Sequence, residues 1–115
     1  MVAKGYVPER GDIVWLNFYP IRGHEQGGKR PALVISSSLY NSKTSLALVC
    51  PITSHAKGYE FEVALPNTSS VQGVVLSDHV RNLDWHARRA TFIEHEPSAV
   101  VSQVAELISI LAQGV

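Results

Sequence analysis

Three short stretches of this chain gather the residue types that can hold an anion or move a proton. Residues 22–30 carry Arg22, His24, Glu25, Lys29 and Arg30 around Gly23, Gly27 and Gly28. Thr53, Ser54, His55 and Lys57 follow one apolar run, and Ser77, Asp78, His79 and Arg81 follow another. A guanidinium offers a planar, permanently charged fork to oxyanions, and an imidazole changes charge near neutral pH. Loops on a stiff scaffold are where such groups act. The same loops also read as ordinary polar connections facing water. Gly23, Gly28 and Lys29 match the opening of a phosphate-binding P-loop. Arg30 and Pro31 then stand where a Ser or Thr and a helix are required, which argues against a nucleoside triphosphate site.

The elements that must position these groups are mostly strands. Ile13 to Phe18 is rich in β-branched and aromatic residues, and Ala32 to Ile35 is a short apolar run behind the first loop. Leu46 to Ile52 is a third strand, with Pro51 confined to its end or an edge. Phe61, Val63 and Leu65 alternate with polar or small neighbours, Gly73 to Leu76 is short and apolar, and Arg88 to Ile93 alternates again. Ser36 to Lys43 suggests a helical turn, with Asn41-Ser42 as a turn signal, and residues 1–8 read as a loose lead-in. The period changes at the C-terminus, where Val100, Val101, Val104, Leu107, Ile108 and Leu111 form one helical stripe. Pro97 suits a first helical position and Gly114 a C-terminal cap. The fold class is therefore mainly β: a small barrel or strongly bent antiparallel sheet, with short helices and a C-terminal α-helix.

Composition bounds the rest. With 115 residues, 45% hydrophobic and 17% charged, the chain supports one globular core and one domain, residues 1–115. No apolar run reaches membrane-spanning length, and the N-terminus lacks the apolar stretch of a signal peptide. A single cysteine, Cys50, excludes an internal disulfide and points to a reducing cytoplasm. The five histidines lack paired ligand spacing, so no metal and no cofactor is expected. Formal net charge is zero but uneven. Residues 21–59 hold Arg22, Lys29, Arg30, Lys43 and Lys57 against Glu25, a net of +4, whereas residues 90–115 hold only Glu94, Glu96 and Glu106, a net of −3. A basic face on a neutral protein can still attract a polyanion locally.

Blocks of residues in a fixed order carry a family resemblance almost end to end. They are Arg10 to Trp15, Gly23 to Gln26 with Lys29 to Ala32, Pro51 to Ser54 with Lys57 to Tyr59, and Gly73 to Arg81 with Asp84 and Trp85. Together they resemble the MazF/PemK toxins of type II toxin–antitoxin pairs. The resemblance implies an SH3-like small barrel working as a homodimer. It also implies sequence-specific, metal-independent cleavage of single-stranded RNA, leaving a 2′,3′-cyclic phosphate (or 3′-phosphate) and a 5′-hydroxyl. The implied partner is a MazE-like antitoxin whose acidic, flexible tail lies in the same basic groove.

RNA carries its own nucleophile, so such an enzyme must align the 2′-OH, remove its proton, steady the charged phosphorane and protonate the leaving 5′-oxygen. By resemblance, Arg30 is the phosphate-binding arginine and Thr53 the threonine whose hydroxyl meets the scissile phosphate. Glu25 matches the proposed general base, and orienting Arg30 is an equal alternative. His24, Gln26, Lys29, Lys57 and Asp78 are RNA contacts, with His24 also able to shuttle a proton. Part of the family has an arginine two residues before the aspartate matching Asp78; here that position is Leu76, which weighs against Asp78 as the base. Trp85 and Tyr59 could stack on bases, with core packing the alternative for each. The rival from another class is a CcdB-like gyrase poison of similar fold. Those proteins depend on a tryptophan near the C-terminus, and this chain ends in Leu111 to Val115 without one.

Overall fold

The computed structural model describes residues 5–18, 28–96 and 98–114. Its seven strands are β1 (Asp12–Asn17), β2 (Lys29–Val34), β3 (Leu46–Thr53), β4 (Glu62–Ala64), β5 (Val74–Leu76), β6 (Arg81–Asp84) and β7 (Thr91–His95). Two helices, α1 (Ser38–Thr44) and α2 (Ser98–Ala112), and a 3-10 turn at Ser77–His79 complete the elements. All strand pairs are antiparallel, in the order β4-β5-β3-β2-β1-β7, with β6 also on β3. The path has two ends, so among the described residues the sheet is open rather than closed into a barrel. It bends where β3 passes from one ladder to the next.

Side chains alternate across these strands, and each face collects its own core. Ile13, Leu33, Cys50, Ile52, Val63 and Val75 lie on one face, covered by Val100, Val101 and Val104 of α2. Burying those three valines stabilises by about 5 kcal/mol before ordering entropy is subtracted. The expected six-residue stripe is thus only half buried: Leu107 and Ile108 pack partly against the core, and Leu111 stays 37% exposed near the helix end. Val14, Leu16, Phe18, Ala32, Val34, Ala47, Val49 and Leu83 form the opposite core.

Several connections differ from the sequence reading. Residues 5–8 are pinned rather than loose: the Tyr6 hydroxyl donates to Asp12 Oδ2 at 2.7 Å, and its ring meets Phe92 edge-on. Asp12 also accepts from the Glu9 amide and pairs through Oδ1 with His95 Nδ1 at 2.9 Å. Glu9, Asp12 and His95 thus bring ligand-capable atoms within 4.8 Å of one another, but both Asp12 oxygens are already engaged. The last strand begins at Thr91 because Arg89, at φ 58, still belongs to the preceding turn. The segment β6 carried no strand expectation; its pairing with β3 supplies what its short, mixed sequence does not.

Asn41 is no turn residue. It sits inside α1 with no exposed surface, and the chain reverses later, at Ser45 with φ 62. Its amide donates to the carbonyls of Pro8 (2.8 Å) and Ser36 (3.1 Å), while its Oδ1 accepts from Ser36 Oγ (2.6 Å). Asn41→Leu strands these partners away from water and is expected to cost about 3 kcal/mol. Urea unfolding measures this, and a loss below about 1 kcal/mol would show that the knot is dispensable.

On the far side, Ser69 Oγ donates to Glu96 and Ser70 Oγ to Glu94, tying the loop after β4 to the end of β7. Glu96 is 2% exposed and its Oε1 has no hydrogen-bond partner among the described residues. Burial raises its carboxyl above the usual range, with Glu94 beside it adding to the effect, while the Ser70 hydroxyl lowers that of Glu94. Because the folded form of Glu96 holds its proton more tightly, its contribution weakens as pH rises from about 4.3, the unfolded glutamate value, through the raised one. Glu96→Gln mimics the protonated form. It is expected to raise the melting temperature at pH 7 and to leave it unchanged near pH 4; a pH-independent difference would refute the assignment.

Candidate active site

A proline stands where the central ladder ends. Pairing of β2 with β3 runs from Val34 against Val49 to Ala32 against Pro51. Pro31 comes next along β2 and has no N–H to give β3. Two rungs beyond the last pair, the same register sets Arg30 across from Thr53. By alternation both share the face of Ala32 and Val49, away from α2. Past Ala32 and Pro51 the two strands no longer pair with each other, while β2 stays paired with β1 through Arg30 and Lys29 and β3 with β5 through Thr53.

The groove beside Thr53 comes from an interruption. Ile52 faces Val75 and Val49 faces Arg81, so three steps along β3 match six along its neighbour. The surplus is extruded as the 3-10 turn Ser77–His79, which carries Asp78 and His79 outward. Thr53 and Leu76 contribute strand ends to a cavity of about 130 Å³. The turn after β3 adds His55, Lys57 and Tyr59, β4 adds Glu62, and the extruded turn adds Asp78 and His79.

Local hydrogen bonds set these groups. Thr53 is the last residue of β3, not part of the loop as expected, and is 7% exposed. Its Oγ1 accepts from the His55 amide at 3.2 Å, so its own proton can be donated into the groove. The Glu62 carboxylate accepts from the amides of Lys57 (3.0 Å to Oε2) and Gly58 (2.9 Å to Oε1). It thereby fixes the turn that presents Lys57 and Tyr59, the latter 63% exposed. Asp78 Oδ1 lies 4.0 Å from His79 Nε2. Burial, aided by the charge of Asp78, pushes the Cys50 thiol up to about 12, which keeps it protonated and out of the chemistry.

Of the residues singled out from the sequence, the structure thus brings Thr53, Lys57 and Asp78 to one cavity and sets Arg30 on the same face of the sheet. Arg30 is half-buried and already takes part in an interaction within the fold. Lys29 is exposed, but alternation puts it on the opposite face of β2. His24, Glu25 and Gln26 lie outside the described residues. Trp85 is structural: its indole N–H donates to the Asn41 carbonyl at 2.9 Å, and it packs on the second core. Sequence reasoning left His55 and His79 without a role; lying 24 positions apart, they carried no spacing signal. It also left Arg81 without one, although its guanidinium stands 5.8 Å from the Phe18 ring centre on the Arg30 face.

This geometry has relatives. The family described as PemK-like, MazF-like toxin of type II toxin-antitoxin system matches residues 9–112. The chain is 48% identical over 91 residues to the endoribonuclease toxin MazF of Escherichia coli K12, covering 79% of this chain and 80% of that one. Among solved structures, MazF of Deinococcus radiodurans superposes with a TM-score of 0.92 at 52% identity, over 95% of this chain and 99% of the other. A MazE–MazF complex from the same organism gives 0.86 at 51% identity, over 96% and 100%. With residues 9–112 matched by the family and 48% identity to one of its members, this chain belongs to the PemK-like, MazF-like toxin family of type II toxin–antitoxin systems.

Proposed function

We propose that this chain is an endoribonuclease toxin that cuts single-stranded RNA without a metal, by attack of the 2′-OH on its own phosphate. The observation that carries this reading is that the β2–β3 register, continued two rungs past its last pair, sets Arg30 across from Thr53 on one face of the sheet. The guanidinium binds the non-bridging oxygens and balances the charge that grows on the phosphorane. The Thr53 hydroxyl, oriented by the His55 amide, adds a donor to the same phosphate. Glu25 takes the 2′-proton, or orients Arg30. Lys57 and Asp78 hold the flanking RNA, with His24 and Gln26 contacting it from the loop before β2, while Lys29, on the opposite face of β2, takes no part at this site.

The chain acts as one domain over residues 1–115, in the cytoplasm and as a homodimer. Among the described residues no helix is long and apolar enough to cross a membrane. Its partner is a MazE-like antitoxin, a reading supported by the MazE–MazF complexes among its structural relatives. An acidic antitoxin segment would compete with RNA for Arg30 and Lys57.

Incubating purified protein with single-stranded RNA in EDTA, followed by end-group analysis, tests the proposal. Discrete fragments with 2′,3′-cyclic phosphate and 5′-hydroxyl ends are expected. Cutting that stops with the chelator, or gyrase inhibition with RNA left intact, overturns it.

A further inference from the structure

We propose that His55 and His79 are RNA-phosphate contacts that engage when protonated, so that this chain grips RNA more tightly on the acid side of neutrality. The proposal rests on the function given above and names two residues of its groove to which that function assigned no side-chain role.

The first ground is position. Both imidazoles line the cavity that Thr53 opens into, His55 from the turn after β3 and His79 from the extruded turn. They enter on different elements, one on each side of Thr53 and Leu76. His55 is tied to the candidate site through its backbone, whose N–H holds Thr53 Oγ1. Its ring Nδ1 stands 3.5 Å from Ser54 Oγ, leaving Nε2 to face a ligand. His79 has its own acceptor nearby in Asp78 Oδ1, at 4.0 Å.

The second ground is charge. Among the described residues the other charged side chains lining the cavity are Lys57, Glu62 and Asp78, so with neutral imidazoles this lining carries a net of −1. That sign opposes a polyanion. With both imidazoles protonated the lining becomes +1, and the interaction with phosphate changes from repulsion to attraction. The elements packed on the extruded turn add little against this. Helix α2 carries Glu106 as its one charged residue, and β6 begins with Arg81. Tyr59 adds a face on which a base can stack without changing the balance.

The test uses a 2′-O-methylated copy of an RNA that the protein cuts; it keeps every phosphate and cannot be cleaved. Equilibrium binding is measured at pH 5.5 and pH 8 over a range of salt, beside cleavage of the unmodified RNA. The wild type is expected to bind on the order of tenfold tighter at pH 5.5. Its log–log salt slope should be steeper there by about 1.4, the value for two added phosphate contacts on a single strand. The His55→Gln, His79→Gln double variant should lose most of that difference, each single variant about half, and His86→Gln, outside the cavity, none of it. Circular dichroism confirms that each variant is folded. A double variant that keeps the wild-type pH difference overturns the inference, as does a wild type without one. If the wild type cuts RNA and only the pH dependence fails, the nuclease assignment stands. If RNA is left uncut, both fall.

Discussion

Arg30→Ala is expected to abolish RNA cutting while the protein remains folded. The expected loss in single-turnover rate is on the order of 10³-fold, the scale for removing one charged donor from a developing oxyanion in a water-poor site. Arg30 leaves the β2–β3 ladder just past Pro31, half-buried, with Thr53 across from it. Its planar fork can hold two phosphate oxygens at once, which a lysine cannot, so Arg30→Lys should restore only a small part of the rate. Because Arg30 already takes part in an interaction within the fold, the alanine variant should also lose up to about 1 kcal/mol of stability. Undiminished cutting by the folded variant would remove Arg30 from the mechanism.

Gly73→Ala is the second large effect, and it acts through Thr53. Gly73 has φ +127, and a Cβ built there would meet the Thr53 carbonyl oxygen at 2.2 Å and its carbon at 2.8 Å. Those atoms are backbone in the strand that carries the site, so no side chain can swing aside. The left-handed backbone adds its own strain. We expect a loss of about 3 kcal/mol or more in urea unfolding and a large drop in cutting, since relief moves Thr53. Gly58→Ala is the control. It has φ +82 but open space around it, so only the backbone strain of about 1 kcal/mol remains. Equal losses in the two variants would mean that the contact with Thr53 is not what Gly73 protects.

The strands were legible where hydrophobic pattern alone sufficed: β1, the apolar half of β2, β3, β4 and β5 all lie where alternation or an apolar run put them. Helix α2 was equally plain in its stripe, although Leu111 near its end stays more than a third exposed. The sequence misled at Asn41, because a buried asparagine tying Pro8 to Ser36 has the same letter as a turn residue; only tertiary partners distinguish them. It was silent at β6, whose strand character comes from the neighbour it pairs with. For the site, the blocks around Arg30, Thr53 and Asp78 named the residues, but the cavity that joins His55 to His79 depends on a register slip that no local pattern encodes. The face that each residue takes was readable only in part. Lys29 and Arg30 are neighbours in sequence and lie on opposite sides of the sheet.

The position of β3 has a consequence for how the toxin is made. The strand pairs with β2, which precedes it, up to Pro51, but its end at Thr53 pairs with β5, which is translated later. A polypeptide still emerging from the ribosome exposes Arg30 and Thr53 well before Val74 arrives to complete the ladder beside them. The ladder that seats Thr53 is thus completed only once residues about twenty positions further on have been made.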